Sequence, residues 1–91
     1  MELRWTEAAA DDLVRIADYL FEHTPLHAER IERTIYDARR ELLTFPALGR
    51  PGKARGTREL VPTPSPYVVV YILGGDIIHV ARILRGAQKW P

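Results

Sequence analysis

Ninety-one residues, 46% apolar and 27% charged, suit one small globular domain over residues 1–91, and the absence of cysteine excludes a disulfide framework or a thiolate metal site. The longest apolar run, Tyr67 to Leu73, is far short of the about 20 residues that span a bilayer, and the Met-Glu-Leu-Arg-Trp start lacks the apolar core of a secretory signal, so a cytoplasmic protein without membrane contact is expected. The formal charge of +1 hides a split: residues 1–41 carry ten acids against six bases, residues 42–91 seven bases against two acids, and the positive half is suited to phosphates or acidic peptides.

Glu2–Trp5 opens with alternation, Leu3 and Trp5 sharing one side, and predicts a short strand at the edge or centre of a sheet. Thr6 is the expected N-cap of a helix, and Glu7, Asp11 and Asp12 place negative charge near its positive end. Leu13, Ile16, Ala17 and Leu20, with Ala9 one turn upstream, recur at steps of three and four and form one apolar stripe. Pro25 forces Thr24 out of helical geometry, so this helix stops near His23. Thr24-Pro25 also reads as an N-cap with proline at the first position of a second helix. Its stripe is Ala28, Ile31, Ile35, Ala38, Leu42 and Phe45, and Pro46 ends it. So short a link predicts an antiparallel helical hairpin whose single stripes require a second layer.

Residues 46–56 are a loop by their glycine and proline content. Thr57–Val61 alternates as a strand until Pro62, Pro64 and Pro66 break it off. Tyr67–Leu73 is strongly β-prone, Gly74-Gly75 offers a tight turn, and Ile77–Leu84 supplies the return strand. The expected fold is α+β in the order β-α-α-β-β-β. The helical hairpin packs on one face of a small antiparallel sheet whose last three strands form a meander. Arg58 and Arg82 are expected to project from the second, partly solvated face.

Gly49-Arg50-Pro51-Gly52-Lys53 is not a phosphate loop, because Ala54 follows the lysine and a strand comes next. His23 and His27 flank the interhelical turn, and His79 lies in a predicted strand. None has metal-site spacing, so neither a metal nor a cofactor is expected. Ser65, the only serine, sits among prolines without a nucleophile-elbow context. Eleven of the thirteen bases are arginine, a side chain that holds phosphate or carboxylate through a planar fork but is a poor general base. Arg50, Arg55, Arg58, Arg82 and Arg85 therefore suit anion binding, or read equally as solvated strand and loop charges. Tyr67, Tyr71 and His79 are the nearest proton acceptors for any chemistry on a 2′-OH.

Gly49-Arg50-Pro51-Gly52, Gly56-Thr57-Arg58-Glu59-Leu60, Pro66–Tyr71 and the Ile83–Pro91 ending occur in an order that resembles the RelE/ParE superfamily of bacterial type II toxin–antitoxin toxins. Trp5-Thr6, Ala9, Asp12-Leu13 and Ile16 are similar to that family's opening helix, so the resemblance covers almost the whole chain. It implies the same β-α-α-β-β-β fold and one of two actions: RelE-like toxins cut mRNA in the ribosomal A site, and ParE-like toxins poison DNA gyrase. Arg58 and Arg82 match basic sheet positions of the family. Arg85 stands where many relatives place histidine before the Gly-Ala-Gln segment, and no tyrosine lies beyond Tyr71. The Gly-Arg-Pro-Gly loop and the Gly-Ala-Gln-x-Trp ending look more like the ParE side.

The resemblance thus implies a toxin that binds and poisons gyrase without itself making or breaking a bond. Arg50, Lys53, Arg55, Arg58, Arg82 and Arg85 are the expected contacts with target or antitoxin, and Trp90 is an aromatic anchor or a core-capping residue. The rival is a ribosome-dependent endoribonuclease in which Arg58, Arg82 and Arg85 steady the scissile phosphate. A third reading is an inactive relative that serves only as a binding or repressor-complex module. All three imply a cognate antitoxin with a flexible, acidic binding segment, held in a hetero-oligomer.

Overall fold

The N-terminal half folds as two helices because its apolar residues recur at helical steps, and the C-terminal half pairs as strands because its β-branched residues do not. The computed structural model describes residues 1–63 and 65–86. Its elements are β1 (Glu2–Trp5), α1 (Glu7–His23), α2 (Pro25–Thr44), β2 (Arg50–Pro51), β3 (Arg58–Leu60), β4 (Tyr67–Gly74) and β5 (Ile77–Arg85). The helices pack on one face of a sheet with strand order β1-β5-β4-β3-β2.

Thr6 caps α1 as its sequence position suggests: the Ala9 amide donates to its hydroxyl oxygen at 3.1 Å. The same hydroxyl donates to the Ala81 carbonyl at 2.9 Å, so the cap also ties the helix to β5. Thr24 behaves differently. It links the two helices, but its hydroxyl donates back to the Leu20 carbonyl at 3.3 Å and makes no side-chain cap for α2. With Pro25 at the first helical position one amide fewer needs a partner there.

The meander β3–β4–β5 is antiparallel, but β1 joins β5 in parallel, Leu3 beside Ile78 and Trp5 beside Val80, so the sheet is mixed. β1 takes an edge. A fifth strand, β2, arises inside the stretch that composition marks as loop. Its two residues pair with Arg58 and Glu59, a length too short to leave any periodicity in the sequence. Gly75 sits at φ +59° in the β4–β5 turn, where a residue with a Cβ is disfavoured.

The core lies between helices and sheet. Ile16 and Leu20 of α1 and Ile35, Ala38 and Leu42 of α2 meet Tyr67, Val69 and Tyr71 of β4 and Ile78, Val80 and Ile83 of β5. Even-numbered and then odd-numbered positions of β5 thus point the same way. The cause is an irregularity in which Tyr71 faces Val80 while Val70 faces Arg82, leaving Ala81 as an extra residue. Val68, Val70 and Leu84 form a second, smaller buried cluster on the other face.

Candidate binding site

The basic residues of β2, β3, β5 and the intervening loop are brought to one end of the sheet, where most of them are engaged within the protein. Arg58 lies opposite Tyr71 and therefore starts on the helix side of the sheet, not the second face. Its guanidinium donates to the carbonyls of Gly49 at 2.7 Å and Ala47 at 3.3 Å. Tyr71, fully buried, completes this clamp: its hydroxyl accepts from the Gly49 amide at 2.9 Å and donates to the Pro46 carbonyl at 2.7 Å. A Cβ on Gly49 would come within 2.8 Å of the Tyr71 ring, which is why glycine occupies that position. The segment between α2 and β2 is thus fastened to the sheet.

Arg82 is also drawn away from the second face. β1 covers β5 only as far as Val80, so the edge beyond is open to α1. There Arg82 grips Asp12 through two hydrogen bonds of 2.6 and 3.0 Å, and the Ile83 amide donates to the same carboxylate at 2.9 Å. Burial pushes the Asp12 carboxyl up, but the Arg82 hydrogen bond, the Ile83 amide and the charges of Arg82 and Arg15 outweigh it, leaving it below its ordinary value. Arg82 is raised in turn, chiefly by its hydrogen bond to Asp12.

Arg50, Lys53 and Arg85 do converge. With Glu59, Gly86 and the apolar floor of Val68, Val70 and Leu84 they line a 60 Å³ hollow on the second face. Glu59 organises it: its carboxylate accepts from the Arg50 guanidinium and from the Lys53 backbone amide, each at 3.2 Å. Its side chain is only 10% exposed while that of Arg50 is 65% exposed, so the loop cations stand above an internal counter-charge. Arg55 is exposed in the same loop but does not line the hollow. Arg85 lies opposite Tyr67 and donates to the Tyr19 hydroxyl at 3.4 Å. Trp90 lies outside the described residues.

Of the candidate proton acceptors, Tyr71 serves the loop clamp, and His79 sits between Arg4 and Ile72 away from the hollow. Tyr67 is buried, and burial raises its pKa, partly offset by Arg85. Among the described residues no three His, Cys, Asp or Glu side chains are placed to hold a metal ion, and no helix is long and apolar enough to cross a membrane.

Two organising residues, Asp12 and Glu59, were not among the expected contact residues, Asp12 being expected only to place charge near the start of α1. Asp12 had a signal: with Ala9, Ile16 and Leu20 it falls on the buried stripe of α1, where a carboxylate needs a cationic partner. Glu59 had a weaker one, as the sole acid between Glu41 and Asp76.

Residues 3–90 match the family described as the ParE toxin of the type II toxin-antitoxin system, parDE. The chain belongs to this toxin family. Among the relatives of this ParE-family chain, Toxin RelE2 of Caulobacter vibrioides is 37% identical over 92% of the chain and 93% of the relative. The toxin candidate Y4kP of Sinorhizobium fredii is 35% identical over 98% and 92%. A solved chain of a chromosomal ParDE toxin–antitoxin system from P. aeruginosa superposes with a TM-score of 0.84 at 30% identity, covering 93% of this chain and 95% of that one. ParE-family membership accounts for the helical hairpin on a mixed sheet and establishes a type II toxin–antitoxin toxin.

Proposed function

We propose that this ParE-family toxin, acting as one domain over residues 1–91 in the cytoplasm, arrests growth by binding and poisoning DNA gyrase, and that a cognate antitoxin neutralises it in a hetero-oligomer. The observation that carries a binding rather than a nuclease reading is the internal engagement of Arg58 and Arg82. Ribonuclease chemistry would assign these two side chains to the scissile phosphate, yet one clamps the Gly49 carbonyl and the other is bound to Asp12. The cations of the second-face hollow, Arg50, Lys53 and Arg85, together with Arg55 in its loop, then serve as contacts for acidic or phosphate groups of the target.

Pulsed expression without the antitoxin tests this. Gyrase poisoning predicts cleaved or relaxed plasmid DNA beside intact transcripts. Discrete codon-spaced cuts in reporter mRNA, mapped by primer extension, would instead establish the endoribonuclease, and absence of growth arrest would identify an inactive binding module.

A further inference from the structure

Arg85 also borders a groove on the helix side of the sheet, between α1 and the start of β4. Arg15, Ile16, Tyr19, Tyr67 and Arg85 line this 220 Å³ space. A 150 Å³ hollow shares four of these residues and runs on to the Asp12–Arg82 pair. Tyr67 is only 4% exposed as a whole, and its hydroxyl, which meets solvent in this groove, makes no hydrogen bond among the described residues. Tyr71, two positions along the same face, spends its hydroxyl on two bonds within the protein, whereas that of Tyr67 stays available to a ligand. Burial raises the Tyr67 pKa, so the hydroxyl keeps its proton at neutral pH and is a donor.

A cation stands beside it. The Arg15 side chain is 74% exposed and 3.9 Å from an Asp12 carboxylate that Arg82 already holds at 2.6 Å. Tyr19 supplies an aromatic wall, steadied by stacking on His23 at 4.2 Å, and Ile16 supplies an apolar floor.

We propose that this groove binds one carboxylate of an amphipathic acidic peptide, its oxygens held by the Tyr67 hydroxyl and the Arg15 guanidinium and its apolar neighbour seated on Ile16 and the Tyr19 ring. The proposal rests on the toxin–antitoxin reading for its natural ligand, the antitoxin. A two-oxygen acceptor fits one phenol and one guanidinium fork. The exposed Asp11, Asp18 and Glu22 of α1, within one turn of Arg15 or Tyr19, oppose any run of anions, so the groove suits one carboxylate flanked by apolar residues and not successive nucleic-acid phosphates.

The test follows backbone amide shifts of ¹⁵N-labelled toxin titrated with sodium acetate, and separately with inorganic phosphate, at constant ionic strength. Calorimetry with the antitoxin encoded beside the gene accompanies it. Acetate is expected to shift the amides around Ile16, Tyr19 and Tyr67, and Tyr67→Phe and Arg15→Gln to abolish those shifts. Each variant should weaken antitoxin binding about tenfold, the effect of one lost hydrogen bond to a charged group. Tyr67→Phe removes only an oxygen, and exposed Arg15→Gln is an independent variant should packing at Tyr67 change. Unaltered antitoxin affinity in both variants overturns the groove and leaves the toxin–antitoxin reading standing. Shifts with phosphate but not acetate also overturn it. Acetate shifts sensitive to both variants, but no antitoxin binding to the wild type, support the carboxylate site and overturn the neighbouring gene's antitoxin as its natural ligand instead.

Discussion

Asp12 shows how much one side chain can carry. It is 7% exposed and receives three hydrogen bonds from β5, so its removal strands the Arg82 guanidinium and the Ile83 amide together. Asp12→Ala is expected to cost about 3 kcal/mol, the low end for breaking a buried pair because Arg82 remains partly solvated. The pH dependence has a definite sign. The folded carboxyl titrates below its unfolded value of about 3.9, so the contribution is complete above that value and is lost as pH falls through the folded one. Urea midpoints measured over a pH series should therefore fall more steeply below about pH 4 in the wild type than in Asp12→Ala. Tyr71→Phe loses the Pro46 and Gly49 bonds of the loop clamp and leaves a buried amide unpaired. A loss of about 2 kcal/mol is expected, seen as a thermal midpoint lowered by roughly 10 °C. The partners of these residues were illegible from sequence, because a hydrogen bond between residues 12 and 82, or 71 and 46, depends on a register that composition does not encode.

Among the elements, α1, α2, β4 and β5 were read almost to the residue. Each is long enough for its apolar period to stand out, and proline or glycine marks most of their ends. The two helix starts separate a cap that works from one that only looks like it. Thr6→Ala should cost about 1 kcal/mol, because its oxygen accepts from Ala9 and its proton goes to Ala81. Thr24→Ala should change stability by less than about 0.5 kcal/mol, its hydroxyl being turned back to Leu20. Paired chemical denaturation curves would decide. β5 offers the complementary case. Strict alternation from Ile78 and Val80 would carry Ile83 to the second face, yet the extra residue Ala81 returns it to the core at 2% exposure. Ile83→Ala is therefore expected to cost about 2–4 kcal/mol in the same assay, well above Ile72→Ala, whose side chain is 40% exposed. Neither the bulge nor β2 could be read beforehand, since each is decided by what the partner strand presents.

Across the whole molecule, the charge split along the chain becomes a split in space. Nine of the twelve acids lie on the two helices and the described bases of the second half lie at one end of the sheet, where Asp12–Arg82 and Arg50–Glu59 pair some of those bases with carboxylates. Those pairs matter for function, because they remove part of the positive charge that the sequence counts at face value. The exposed remainder should still make antitoxin binding weaken as salt rises, with the loss reduced in an Arg50→Gln/Lys53→Gln double variant. Calorimetry at several salt concentrations checks this; a salt-independent affinity would argue for apolar docking alone. By itself the sequence determined the helical hairpin, the β-meander, the toxin family and the dipolar charge, all of which follow from local periodicity, turn residues and contiguous motifs. Only the tertiary structure decided which arginines are available for a partner. Availability depends on carboxylates and carbonyls that are distant in the chain and meet only when α1 crosses the open edge of β5 and the loop closes on Tyr71.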